Sequence, residues 1–262
     1  GNGIIRTANG TYTEYYLKVG TSTNFGFRTT FGFTGSINNI SVIEITEDTN
    51  LPRIDYTGGV GQWLFEPQST NLLPYSEDFS QWNKSNASLI NTISSTVVSP
   101  DGVSYANKLY PIGSATSSFI IQGVSANCFS VFVKKGERRW VLIYGGFSNS
   151  NVWFDSENGV FGNVLSESTA TVESFGNDWY RIRILWAQNS NHIRIYNTDS
   201  GTSTLSTGNG TDGLYIWGAQ LEVQSFATSY ISTEGAIKTR LQDVAFGAGS
   251  SDLINSTEGV LY

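Results

Sequence analysis

The chain has 262 residues, with 22 acidic against 15 basic side chains and a net charge of −7. A surface of that sign excludes a nucleic-acid role, which needs clustered Lys and Arg. The single cysteine, Cys128, excludes an internal disulfide, and no run reaches the roughly 18 apolar residues of a membrane span.

Aromatic residues make up 13 % and charged residues 14 %, with 28 glycines, the usage of short strands joined by polar turns and not of helices. Residues 1–46 read as the last strands of a preceding β module, at Tyr12 to Val19, Phe25 to Phe33 and Ser36 to Ile45. Residues 47–66 read as a linker punctuated by Pro52 and Gly58-Gly59. Between 67 and 235 apolar strands recur at short intervals, among them Cys128–Lys135, Arg139–Tyr144, Val152–Asp155, Trp179–Ala187, His192–Tyr196 and Leu214–Val223. In Trp179–Trp186 apolar and cationic residues alternate, which predicts Arg181 and Arg183 on a water-facing side. Lys134-Lys135 and Arg138-Arg139 bracket Gly136 and read as a solvated hairpin end. Residues 236–262 read as the start of a following module or a docking tail. The chain begins at Gly1 and has no Met, so it reads as a processed product or a piece of a longer chain, with no signal peptide visible.

Several phrases recur together in one family: Leu51 to Gly59 (LPRIDYTGG), Leu64 to Phe79 (LFEPQSTNLLPYSEDF), Ser130 to Gly136 (SVFVKKG), Asp178 to Arg181 (DWYR), and Ile216 to Glu222 (IWGAQLE) with Ala227 to Ile231 (ATSYI). On these the chain, over about residues 35–245, resembles the phage head-spike and tail-fibre domains with a carbohydrate-binding-module-like jelly roll. The resemblance implies an all-β, jelly-roll β-sandwich, galactose-binding-like, with flanking β segments. It also implies display on a virion surface after synthesis in the host cytoplasm, contact with other virion proteins, and a homo-oligomer, a trimer by analogy.

Catalytic signals are weak. His192 is the only histidine, and no Gly-x-Ser-x-Gly elbow or spaced carboxylate pair accompanies it. One His and one Cys cannot make a zinc cage. No catalytic cofactor is expected. Jelly-roll binding modules often carry a structural calcium, whose oxygen ligands here would come from Glu77, Asp78, Asp101 and Glu222. The plainer reading of those four is turn and capping carboxylates.

Sugar binding asks for an aromatic ring near solvent among hydroxyl-binding polar groups. Trp140 and Tyr144 alternate along one strand, and Asn149, Asn151 and Trp153 follow. Trp186, Arg194 and Tyr196 form a second group on what could be a facing strand. Trp179 and Trp217 sit in fold-defining phrases and read as core. The expectation is a non-catalytic module that binds host-surface glycan. The alternatives are a carbohydrate-binding module of a polysaccharide-degrading enzyme and a ligand-free decoration or spacer domain.

Overall fold

The computed structural model describes residues 10, 53–55, 61–84, 90–113, 117 and 119–243, with the backbone alone at 53–55, 62 and 90–94. The strands expected within 1–46, and the tail after 243, lie outside the described residues. The chain divides between Ile45 and Thr46, and all that follows belongs to the second unit.

The fold is all-β. Two short strands, β1 (Arg53–Asp55) and β2 (Gln62–Leu64), pair with each other inside the expected linker. β3 (Ser69–Asn71) leads through a 3-10 turn at Phe79–Gln81 to β4 (Asn83–Lys84), β5 (Ile90–Val98) and β6 (Tyr105–Pro111). Then come β7 (Phe119–Gln122), β8 (Cys128–Lys134), β9 (Trp140–Tyr144), β10 (Val152–Asp155) and β11 (Val160–Val164). The series ends with β12 (Ser168–Ser174), β13 (Trp179–Trp186), β14 (Ile193–Thr198), β15 (Leu214–Glu222) and β16 (Lys238–Arg240). One six-stranded sheet has the order β11-β10-β9-β14-β7-β4, and the second has β12-β13-β8-β15-β6-β5. Every pairing within both is antiparallel. The expected all-β sandwich is therefore present.

Alternation along the strands makes the core. Val141 and Ile143 of β9, Ile193 and Ile195 of β14, and Val152 and Phe154 of β10 belong to one buried cluster with Phe129, Val131 and Val133 of β8 and Ile182, Ile184 and Trp186 of β13. Burying side chains of this size stabilises the fold by roughly 1.5–3 kcal/mol each relative to exposure. β8 is buried on both faces, which is why it reads as a nearly continuous apolar run rather than an alternating one.

β15 breaks the alternation. Ile216 and Ala219 both belong to the core, because a bulge shifts the register between Trp217 and Gln220. Gly218 permits it: its φ is 63°, and a Cβ there would lie 2.9 Å from the Phe132 ring.

The outer face of the second sheet is not bare. Arg181, expected to face water, is 3 % exposed, with Nη2 donating to Ser130 Oγ at 2.9 Å and to the Thr228 carbonyl at 2.7 Å. Strand alternation points Arg181 away from the core, but the segment after β15 folds back across that face and covers it. Arg183 is half-buried and paired with Glu173. The basic run also differs from a hairpin end, since β8 and β9 lie in different sheets and residues 135–139 cross between them. Lys135 and Arg139 both pair with Glu157, and Arg138 pairs with Asp199, so those charges are matched internally.

The returning segment continues into β16, which pairs with β3. Arg240 Nη1 reaches Glu66 Oε2 at 2.9 Å and Asp243 Oδ1 at 3.4 Å, all three residues being buried. The residues just after the expected boundary at 235 are thus fastened to the start of the sandwich.

Candidate functional site

Strand register brings five of the expected sugar-binding residues to one place, the outer face of the first sheet. Arg194 pairs across from Tyr144, and Leu142 lies between Tyr196 and Trp153. The face is already filled. Trp153 and Tyr196 are 3 % and 4 % exposed, and Trp153 Nε1 donates to the Ser203 carbonyl at 2.6 Å. Trp140 is half-buried, and Cβ atoms built on Gly162 and Gly201 would stand 2.9 and 2.7 Å from its ring. The Arg194 guanidinium lies 4.3 Å from the Phe119 centroid and 5.1 Å from that of Tyr144, so it occupies the ring faces a sugar would need.

Trp186 does not join them. It belongs to the sandwich interior at 1 % exposure, and its Nε1 donates to the Ser150 carbonyl at 3.0 Å. β13 carries it inward by the same alternation that buries Ile182 and Ile184. Asn149 and Asn151 serve the β9–β10 connection: Asn149 adopts a φ of 62°, and their carbonyls accept from the backbone N–H groups of Glu167 and Leu165. His192 packs edge-on against Tyr144, and burial, then the nearby Arg194 charge, lower its pKa.

The four carboxylates considered for calcium do not converge. Asp78 caps the 3-10 turn, accepting from Ser80 N at 3.0 Å. Glu222 is fully buried elsewhere, accepting from Ser69 Oγ at 2.6 Å and from the Thr228 backbone N–H at 3.1 Å. Among the described residues no three His, Cys, Asp or Glu side chains gather in a metal-binding group.

Glu77 and Asp101 instead line one cavity of about 390 Å³, together with Trp217, Tyr230, Ser232, Lys238 and Arg240. These residues arrive from four places. Glu77 lies just before the 3-10 turn, Asp101 in the β5–β6 turn, Trp217 at the β15 bulge, and the rest on the segment that returns across the second sheet. Trp217 and Tyr230 pack with centroids 4.6 Å apart, but Trp217 is 3 % exposed and belongs to a core cluster with Phe132 and Trp179, so the half-buried Tyr230 ring is the aromatic surface the cavity offers. Trp217 Nε1 donates to Ser104 Oγ at 3.0 Å. Tyr230 Oη donates to Glu77 Oε1 at 2.9 Å, and Ser232 Oγ donates to the same oxygen at 2.7 Å.

The cavity is acidic. Burial alone would raise the Asp101 carboxyl, but hydrogen bonds from the hydroxyls of Ser104 and Ser99 and the backbone N–H groups of Val103 and Ser104 outweigh it and hold the pKa at about 2. Burial, reinforced by the Glu77 charge, pushes the Tyr230 phenol well above its usual range, so it stays a donor. Among the described residues neither Glu77 nor Asp101 has an ion-pair partner. The Arg240 guanidinium is neutralised by Glu66 and Asp243, and its buried Nε–H has no acceptor among the described residues.

A half-buried aromatic ring beside two carboxylates that have no ion-pair partner among the described residues forms a set that a polyhydroxyl ring can meet, because each hydroxyl both donates and accepts. Glu77 and Asp101 were legible only as calcium-ligand candidates, Trp217 is core as its phrase suggested, Tyr230 was not singled out, and no spacing in the chain links positions so far apart. No family model and no curated protein matches this chain.

Proposed function

We propose that the chain is a non-catalytic carbohydrate-binding module of jelly-roll type, displayed on a phage spike or fibre, and that it holds a host-surface sugar in the Glu77–Asp101–Trp217–Tyr230 cavity. The cavity itself carries the reading: it joins a half-buried aromatic ring to carboxylates that lack cationic partners among the described residues. The phage assignment rests on the phrase resemblance alone. The sugar's apolar face packs on the half-buried Tyr230 ring, and its hydroxyls donate to Glu77 and Asp101. Hydrogen bonds to charged groups contribute about 1.5–3 kcal/mol each, so a single site binds weakly and repeated copies supply avidity.

The test is a glycan array probed with the protein displayed multivalently, beside Glu77→Gln and Ser232→Ala. Binding lost in Glu77→Gln with an unchanged circular dichroism spectrum supports the reading. Silence across the array would favour a ligand-free spacer, and binding insensitive to both variants would move the site elsewhere.

A further inference from the structure

We infer that the sugar selected by this cavity carries a protonated amine, as in a de-N-acetylated hexosamine. The inference rests on the carbohydrate reading above and adds the charge of the ligand to it. Three observations carry it.

The first is the uncompensated charge. Glu77 and Asp101 line the same cavity, and no cation among the described residues pairs with either. Arg240 brings no net positive charge, since one guanidinium faces both Glu66 and Asp243. Lys238 is the one cavity-lining cation left over; it is exposed and has no carboxylate partner among the described residues. The lining with its Arg240 cluster therefore stays negative, and a cationic ligand relieves the repulsion that a neutral one leaves and an acidic one increases.

The second is the aromatic ring beside them. Tyr230 presents a half-buried π system next to those carboxylates, and an ammonium group gains from both kinds of neighbour. The third is the way the carboxylates are fixed. Glu77 Oε1 takes two hydroxyl donors, and Asp101 Oδ1 takes two backbone N–H groups and the Ser99 hydroxyl. Each acceptor is thus held in place before a ligand arrives, and no bond or proton need move on binding.

The experiment is calorimetric titration of the full chain with short glucosamine oligomers, their fully N-acetylated counterparts, uronic acid oligomers and a lysine-rich peptide. Glu77→Gln and Asp101→Asn are run beside Asp178→Asn, which removes one charge at an exposed turn and has an asparagine-tolerant φ of 61°. The expected result is at least tenfold tighter binding of the free-amine oligomer than of the acetylated one. That preference falls several-fold in Glu77→Gln and Asp101→Asn and persists in Asp178→Asn. Equal affinity for acetylated and free-amine oligomers, or preference for the uronic acids, overturns the amine inference and leaves the carbohydrate reading standing. A preference that falls equally in Asp178→Asn also overturns it, as diffuse charge attraction. Binding of the peptide without any sugar, or of nothing at all, overturns both.

Discussion

Arg181 Nη2 donates to the carbonyl oxygen of Thr228 at 2.7 Å, and through that bond a strand residue of the second sheet holds down the segment that carries Tyr230. The same guanidinium reaches Ser130 on the neighbouring strand, so one buried cation joins sheet and overlying segment. Replacing Arg181 by Met keeps much of the volume but takes the charged donor from the buried Ser130 hydroxyl and leaves the Thr228 carbonyl with Gln220 Nε2 at 3.3 Å. Each orphaned buried polar group costs about 1–3 kcal/mol. Arg181→Met is expected to lower the urea midpoint accordingly and to loosen Tyr230, read as faster amide exchange across 226–233.

The bulge at Gly218 gives a second prediction. Alanine there would hold a positive φ of 63° and drive its Cβ to 2.9 Å from the Phe132 ring and 3.3 Å from Tyr230. Overpacking of this kind costs about 1–3 kcal/mol. Gly218→Ala is expected to reduce stability by at least that much in chemical denaturation, and to weaken ligand binding because Trp217 and Tyr230 shift together. A variant as stable as the parent would show that the bulge relaxes freely.

Asp101 predicts a pH dependence. Its carboxyl is held at about 2 in the folded chain against an ordinary 3.8, so the unfolded chain takes up a proton first as acid is added. The stabilisation is therefore complete above about pH 4 and is lost as pH falls toward 2. Because the side chain is mostly exposed, solvent screening limits the contribution to about 1 kcal/mol. Denaturation of the parent and Asp101→Asn at neutral pH and near pH 2 should show a stability difference that shrinks in acid.

Cys128 is 1 % exposed, and burial, with the nearby Glu222 charge, pushes its thiol up to about 12. Only the thiolate reacts at a useful rate. The folded protein is expected to resist thiol reagents at pH 8 and to react promptly once unfolded in denaturant. Rapid labelling of the native protein would mean that β8 opens on the timescale of the assay.

The two sheet faces are separable by mutation. Trp153→Phe removes the bond to Ser203 and leaves a void, so it should cost stability without changing glycan affinity. Tyr230→Phe removes the hydroxyl that donates to Glu77 and should weaken binding several-fold with a smaller effect on folding. The reverse pattern would return the site to the first sheet.

How far the sequence carried can be judged from single residues. Alternation in β9 correctly set Trp140 and Tyr144 on one side, and register then placed Arg194 beside Tyr144. Local pattern reports which face a side chain leaves by. It does not report what lies over that face. Trp153 and Arg181 both point away from the sandwich core, yet a loop covers the first and the returning segment covers the second. The cavity was the least legible feature, because Glu77, Asp101, Trp217 and Tyr230 meet only after β15 bulges and the chain doubles back. Neither event leaves a periodic trace.

The buried group of Glu66, Arg240 and Asp243 has a mechanical consequence. Ser69 pairs with Arg240 and Asn71 with Lys238, so the chain enters and leaves the sandwich at the same end of one two-stranded seam. Tension between those two points would peel the seam open from that end, one pair at a time, and would reach the Arg240 ion pairs before any strand of either six-stranded sheet. The sandwich thus hangs from the chain as a side loop behind a charged latch, and a pull along the polypeptide is resisted first at Arg240, so force would open the cavity that Lys238 and Arg240 line before it disturbed either six-stranded sheet.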